Sequence, residues 1–158
     1  MKFRFCIMLL SLFCYGRSVS AQDTEKSEDS SKLFPLGDNV TNDNFTGKVW
    51  LHMLVPSDTI FNSNIGSVSF SAGARTNWHK HAGGQILLIT EGTGWYQERG
   101  KTKQTVKKGA VIKCLPGVEH WHGATSAKPM THIAIGTNAN LGAVVWLEPV
   151  AEKQYRAN

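Results

Sequence analysis

The stretch NWHKHAGGQ, residues 77–85, indicates both the kind of strand and the kind of site that this chain forms. His79 and His81 are one residue apart, and in a β-strand this period of two directs both side chains to the same face. Gln85 follows His81 by four positions and offers a neutral carbonyl oxygen where a carboxylate would be expected. This spacing predicts a transition-metal site on a β-rich scaffold, with one neutral ligand.

Further histidines occur in two later stretches. In EHWHGA, residues 119–124, His120 and His122 again share one strand face, and MTHIAIG, residues 130–136, contributes His132. A lone histidine is more often a core or surface residue with a satisfied hydrogen bond, but two His-x-His pairs in strands favour a metal-binding cluster. Imidazole binds Mn, Fe, Co, Ni, Cu and Zn, so the cluster predicts a metal more strongly than it predicts which one.

Short β-rich runs separated by glycine or proline fill most of the remaining chain. No long amphipathic helix interrupts them, and only residues 149–155 have the pattern of a helical turn or two. Regularly spaced short strands with turn residues between them predict an all-β sandwich or barrel. The predicted strands are residues 49–55, 65–71, 85–91, 94–98, 103–106, 110–114, 120–124 and 130–136.

The N-terminus has the pattern of a secretory signal peptide. Lys2 and Arg4 precede the apolar residues 7–13, and we expect cleavage after Ala21. The apolar run is much shorter than the roughly 20 residues that a membrane-spanning helix needs. We therefore expect residues 1–21 to be a signal peptide, and the mature protein to be periplasmic or secreted without a membrane anchor.

The mature chain divides into a polar segment and one domain. Residues 22–44 are rich in charged residues and serine, so we expect a flexible segment followed by a single domain at residues 45–158. Cleavage leaves 14 basic and 12 acidic residues, a net charge of +2, without a basic cluster typical of nucleic-acid binding. Cys114 is then the single cysteine, so no intramolecular disulfide is expected.

The spacing of glycines and histidines resembles that of the cupins, small β-barrels of jelly-roll (double-stranded β-helix) topology that hold a metal inside the barrel. The first cupin motif is Gly-x5-His-x-His-x3–4-Glu-x6-Gly, and the second has a histidine eleven residues after one glycine and three after another. The matching positions are Gly73, His79, His81, Gln85 and Gly92 for the first motif, and Gly109, Gly117 and His120 for the second.

A finer resemblance concerns function. The stretches GARTNWHKHAGGQ, PGVEHWHGA and MTHIAI are similar to bacterial cupins called carboxymuconolactone-decarboxylase-like, among them manganese-dependent hydroxynitrile lyases. These lyases cleave mandelonitrile-type cyanohydrins to an aldehyde and cyanide. The resemblance implies His79, His81, Gln85 and His120 as metal ligands, Mn as the metal with Fe, Ni, Co or Zn as alternatives, and a homodimer.

The same resemblance places Thr76, His122 and His132 beside the metal, either as catalytic residues that face the substrate or as residues that support the ligands. We expect His132 to act as general base, and His122 and Thr76 to assist or to hold the substrate. The expected function is that of an exported metal-dependent lyase acting on a small hydroxylated molecule. A cupin dioxygenase, an isomerase and a non-catalytic binding protein for a sugar or small molecule are the alternatives.

Overall fold

The computed structural model describes residues 32–57 and 60–157, which form twelve strands, a short 3-10 helix (Ala139–Leu141) and one α-helix, α1 (Glu152–Arg156). The predicted signal peptide lies outside the described residues. The strands are β1 (Asp38–Asn39), β2 (Phe45–Thr46), β3 (Val49–Val55), β4 (Ser63–Phe70), β5 (Arg75–Thr76), β6 (His79–His81), β7 (Gln85–Glu98), β8 (Gln104–Lys107), β9 (Val111–Cys114), β10 (His120–Ala124), β11 (Met130–Thr137) and β12 (Val144–Trp146).

The strands form two antiparallel sheets that share β7. One sheet has the order β1-β3-β4-β11-β7-β9. In the other, β10 lies between β7 and the short strands β5 and β6, while β8, β2 and β12 extend it. The prediction of an all-β fold is confirmed.

Strand β7 continues where the sequence predicted two strands with a break at Gly92. Its first half pairs with β11 and β9, and its second half pairs with β10 and β8. Gly92 has a φ of +72°, and a Cβ atom there would lie 2.0 Å from the backbone oxygen of Pro129. The glycine therefore permits a bend that passes the strand from one sheet to the other, and does not end it.

The interior of the barrel combines an apolar cluster with buried polar side chains, among them the histidines, Thr76 and Gln85. Phe70, Leu87, Ile89 and Met130 belong to a single buried cluster between the two sheets. On β11, His132 pairs with Val68 of β4 and Ile89 of β7, so its imidazole is held within this apolar cluster.

A second core cluster covers the outer face of β10. Trp78 and Trp121 alternate with the histidines along the chain, so their side chains lie on the opposite face from the imidazoles. Val150 and Tyr155 of the chain's own C-terminal segment cover them. The Tyr155 hydroxyl donates a hydrogen bond to the backbone oxygen of Ala124, 3.0 Å away, which fastens α1 to β10.

The elements at the two ends of the domain can be compared with those that the sequence predicted. The helical turn predicted near residues 149–155 is present as α1. At the other end, strand pairing begins at Asp38–Asn39, before the predicted domain start at residue 45, because β1 pairs with β3 through its backbone. These polar residues show no hydrophobic alternation, so the sequence pattern did not indicate a strand. Among the described residues, no helix is long and apolar enough to cross a bilayer.

Candidate metal centre

The pairing of β6 with β10 brings together histidines that are far apart in the sequence. His79 lies directly opposite His120 in the register, and their ring centroids are 4.3 Å apart. Because side chains alternate along β10, His122 faces the same interior, with its ring 5.3 Å from that of His79. Nitrogen atoms of these three imidazoles lie within 4.8 Å of one another, close enough to hold a metal ion together.

His81 faces the same centre from the end of β6. Its ring lies 5.2 Å from the ring of His79 and 5.7 Å from that of His120. The Nε2 atom of His81 is buried and has no hydrogen-bond partner among the described residues. An unpartnered buried nitrogen is costly, and a metal ion that accepts its lone pair would remove the cost.

A tight turn returns Gln85 to this centre. The amide of Gly84 donates to the backbone oxygen of His81, 3.3 Å away, and Gly84 has a φ of +82° that favours glycine. The turn reverses the chain between β6 and β7, so that Gln85, the first residue of β7, comes back beside His120. The turn therefore accounts for the spacing of four positions between His81 and Gln85, because His81 ends β6 and Gln85 begins β7.

Backbone carbonyls determine the tautomers of two of the histidines. Nδ1 of His79 lies 3.0 Å from the oxygen of Asn77, and Nδ1 of His120 lies 3.0 Å from the oxygen of Val118. A carbonyl oxygen only accepts hydrogen bonds, so Nδ1 must carry the proton in both rings. In the neutral rings, Nε2 therefore holds a free lone pair, as a metal ligand requires.

The distance between Gln85 and His120 tests whether a metal fits. Oε1 of Gln85 lies 3.4 Å from Nε2 of His120, and both atoms present lone pairs. Two ligands bound at about 2.1 Å and at right angles are about 3 Å apart, so this separation is close to that of two ligands of a single ion. Together with the unpartnered Nε2 of His81, this donor set fits a divalent transition metal.

The three candidate catalytic residues occupy different positions. His132 is fully buried beside His122, with ring centroids 4.8 Å apart, and in the described part of the chain neither of its nitrogen atoms has a hydrogen-bond partner. Thr76 is also buried, and its hydroxyl accepts the backbone N–H of His122 at 3.1 Å. Thr76 therefore holds β10 in place at His122, while His132 and His122 form the inner wall of the centre.

Burial keeps these imidazoles neutral. It lowers the pKa of His81 to about 4 and that of His132 to about 4, because a charged ring would lose its hydration inside the barrel. The pKa values of His79 and His122 are also lowered well below their usual range, first by burial and then by neighbouring imidazoles. At neutral pH the cluster consists of uncharged rings that can bind a metal or accept a proton.

Cys114 is buried in the apolar cluster and lies opposite Gln85 in the β7–β9 pair. Burial raises the pKa of its thiol to about 12, so the sulfur stays protonated. Its place in this cluster is that of an apolar core residue.

A cavity of about 200 Å³ reaches the centre at His81. None of the described residues that line it is a lysine, arginine, aspartate or glutamate, and four are glycines. His122, His132 and Thr76 are not among its lining residues. The lining residues are Asn64, His81, Gly83, Gly84, Gly136, Thr137, Ala139, Gly142, Ala143 and Val144.

Comparison with known proteins decides the family. The cupin domain model matches residues 66–136. An (R)-mandelonitrile lyase from Granulicella tundricola is 46% identical over 90 residues, which cover 57% of this chain and 69% of that protein. This chain belongs to the cupin family.

Solved cupin structures agree with this assignment. A cupin-like protein from Thermotoga maritima is 47% identical, with a TM-score of 0.78 over 79% of this chain and 95% of that one. A DMSP lyase from Ruegeria pomeroyi is 18% identical, with a TM-score of 0.56 over 70% of this chain and 55% of that one, and shows the shared fold alone. The predicted cupin fold is confirmed.

The cupin centre contains two overlapping sets of candidate ligands. Both include His79 and His120. The sequence predicted that His81 and Gln85 complete the set, whereas the distances between nitrogen atoms also admit His122. The assignment of His79, His81, Gln85 and His120 stays a prediction, supported by the approach of Gln85 to His120 and by the unpartnered nitrogen of His81.

Some contributors to this cupin centre had no signal in the sequence. The carbonyls of Asn77 and Val118 select the histidine tautomers, and each precedes its histidine by two residues. Asn64 lines the cavity from β4, a strand that contains no histidine. Every residue has a backbone carbonyl, so the sequence could not indicate which carbonyls bind the histidines. Asn64 lies outside both histidine motifs, so the motif spacing could not indicate its place in the cavity.

Proposed function

We propose that this cupin is a metal-dependent lyase that cleaves a carbon–carbon bond in a small, neutral, hydroxylated molecule. A mandelonitrile-type cyanohydrin is its best-defined substrate. The observation that carries the proposal is the cavity at His81, which is small and lined without charged side chains. The similarity to an (R)-mandelonitrile lyase supports the same reaction.

The character of the cavity favours some substrates over others. Its volume of about 200 Å³ is below the roughly 300–1,000 Å³ of sites for drug-sized ligands, so its occupant is small. A carboxylate substrate, such as a carboxymuconolactone, would have the metal as a cationic partner but would find no lysine or arginine among the described lining residues. A neutral cyanohydrin requires no such partner, which makes the lyase reaction the better match.

The residues that would hold the metal in this proposal are His79, His81, Gln85 and His120, with Mn as the expected ion. When bound, a divalent metal supplies positive charge that stabilises a developing anionic oxygen or cyanide. Gln85 contributes a neutral oxygen, so this side chain cancels none of that charge. A carboxylate here would cancel one unit.

In the cleavage, His132 is the proposed proton acceptor. For this step the substrate must extend beyond the residues that line the cavity at His81 to the inner wall, where His132 lies beside His122. Its hydroxyl then loses its proton to a free nitrogen of His132, the C–O bond becomes a C=O bond, and the bond to the nitrile carbon breaks. Its electron pair leaves with cyanide, which takes the proton back and departs as hydrogen cyanide, so the step is balanced without an oxidant. Burial of His132 keeps the ring neutral and ready to accept the proton.

The proposal is tested with Mn-loaded protein and racemic mandelonitrile, with benzaldehyde release as the measurement. We expect release well above the rate in buffer, a large loss in His132→Ala at unchanged metal content, and little change in His52→Ala. His52 is the matched control because it lies on β3, outside the cluster. If metal-loaded wild-type protein releases benzaldehyde no faster than buffer, the cyanohydrin assignment is wrong. Metal-dependent oxygen uptake would then favour the dioxygenase alternative.

Export and dimer formation complete the proposal. Expression of the full chain with an epitope tag, followed by fractionation, should place a product shortened at Ala21 outside the cytoplasm. Light scattering should give the mass of two chains. An unprocessed cytoplasmic product would contradict export, and a monomer mass would contradict the dimer.

A further inference from the structure

The cavity at His81 contains a second polar group that the histidine motifs do not explain. Besides His81, the lining side chains with hydrogen-bonding groups are Asn64 and Thr137. The Thr137 hydroxyl already donates to the backbone oxygen of Gly83 at 2.7 Å. Within the described part of the chain, the Asn64 amide makes no side-chain hydrogen bond, so its two donors and one acceptor are available.

Strand pairing places this amide opposite the candidate ligand Gln85. Gly136 of β11 pairs with Asn64 on one side and with Gln85 on the other. Residues directly opposite in a sheet project to the same face, so Asn64, Gly136 and Gln85 form one row on the interior of the barrel. The middle position of this row has no side chain.

The Asn64 amide lies over the empty position. A Cβ atom on Gly136 would be 2.7 Å from Oδ1 of Asn64 and 2.9 Å from its Nδ2. The side chain of Asn64 therefore leans across the glycine toward Gln85, and a methyl group on Gly136 would displace it. Because adjacent strands are about 4.8 Å apart, the backbones of Asn64 and Gln85 are about two strand spacings apart, and the Asn64 amide covers part of this distance.

We propose that Asn64 is a substrate-binding residue whose amide donates a hydrogen bond to the polar group of a small neutral molecule held between it and His81. The inference rests on the proposed function for the identity of the substrate, which in a cyanohydrin would present its nitrile nitrogen or its hydroxyl. Asn64 contributes selectivity, since a molecule without an acceptor at this end leaves the amide unpaired.

The experiment uses the full chain and mandelamide, which has the hydroxyl of mandelonitrile but no cyanide to lose. The side-chain amide signals of Asn64 are followed by NMR in ¹⁵N-labelled metal-free and zinc-loaded protein. We expect saturable shifts of these signals. Asn64→Ala should raise the Kd for mandelamide by about threefold to tenfold, the range for a neutral hydrogen bond.

Two further variants are measured in the same way, one to test the hydrogen-bond donor and one as a control. Asn64→Asp keeps the shape but loses the donor, and it should weaken binding at least as much as Asn64→Ala. Asn39→Ala, on the exposed strand β1, should bind mandelamide as the wild type does. Circular dichroism and metal content show whether each variant is folded and loaded.

The outcomes separate this inference from the proposed function. If mandelamide shifts Asn64 but mandelonitrile is not cleaved, the inference holds and the lyase assignment fails. If mandelonitrile is cleaved and Asn64→Ala changes neither its KM nor the Kd for mandelamide, the inference is wrong. Failure of mandelamide to bind wild-type protein, or binding without a shift at Asn64, also overturns it.

Discussion

Oε1 of Gln85 lies 3.4 Å from Nε2 of His120, and neither atom has a proton to share, because Nδ1 of His120 donates to Val118. Two lone pairs directed at one point are unfavourable unless a cation lies between them. The turn at Gly84 and the β6–β10 register produce this approach from residues 35 positions apart.

The ligand set can be tested by comparing His81→Ala with His122→Ala. We expect His81→Ala to raise the Kd for Mn by more than about 100-fold, because even loss of a residue that merely supports a ligand commonly costs 10- to 100-fold. His122→Ala should cost less than about tenfold. Metal content after equilibrium dialysis is the measurement, with His52→Ala as the control. The reverse order would assign the site to His79, His120 and His122.

Replacing Gln85 with glutamate tests the role of the neutral ligand. We expect Gln85→Glu to retain metal but to lower kcat for cyanohydrin cleavage by up to about 100-fold. A unit charge about 5 Å from a developing anion changes its energy by roughly 3 kcal/mol at an effective dielectric of about 20. Rates are compared at equal metal occupancy. Wild-type activity in the variant would refute the electrostatic argument and leave the ligand assignment intact.

Acid should destabilise the metal-free protein between about pH 6.5 and pH 4. The folded pKa values of His81 and His132 are about 4, and an unfolded histidine titrates near 6.5, so in this range the unfolded chain binds more protons. The contribution of these neutral histidines to the free energy of unfolding is therefore fully present above this range. It decreases as the pH falls through the range, by up to about 1.4 kcal/mol per pH unit for each proton. Urea unfolding at several pH values measures the slope of the free energy of unfolding against pH. His132→Asn should reduce this slope. A slope of zero across the range would contradict the buried, neutral cluster.

The C-terminal helix should contribute measurably to stability. Tyr155→Phe removes the hydrogen bond to Ala124 and should cost about 1 kcal/mol. Tyr155→Ala also empties its place against Trp121 and should cost about 3–5 kcal/mol in free energy of unfolding. Arg156→Ala, in the same helix but exposed, is the matched control and should change stability by less than about 1 kcal/mol. Equal effects of the two alanine variants would show that α1 does not support the barrel.

The sequence determined those features that depend on local pattern. Alternation of apolar residues predicted most strands, and the two His-x-His pairs predicted which side chains share a strand face, because both follow from the period of two. Glycine spacing indicated the turns, and the cupin motifs indicated the family. The break predicted at Gly92 was wrong, since the same glycine that ends a strand in one context bends it in another.

The tertiary structure decided what depends on strand register. It placed His79 opposite His120, covered Trp78 and Trp121 with the C-terminal helix, and laid the Asn64 amide over Gly136. Each of these contacts joins residues that are distant in the chain, and a shift of one residue in register would remove it. Local propensity contains no information about such pairings, because they are selected by the packing of the whole barrel.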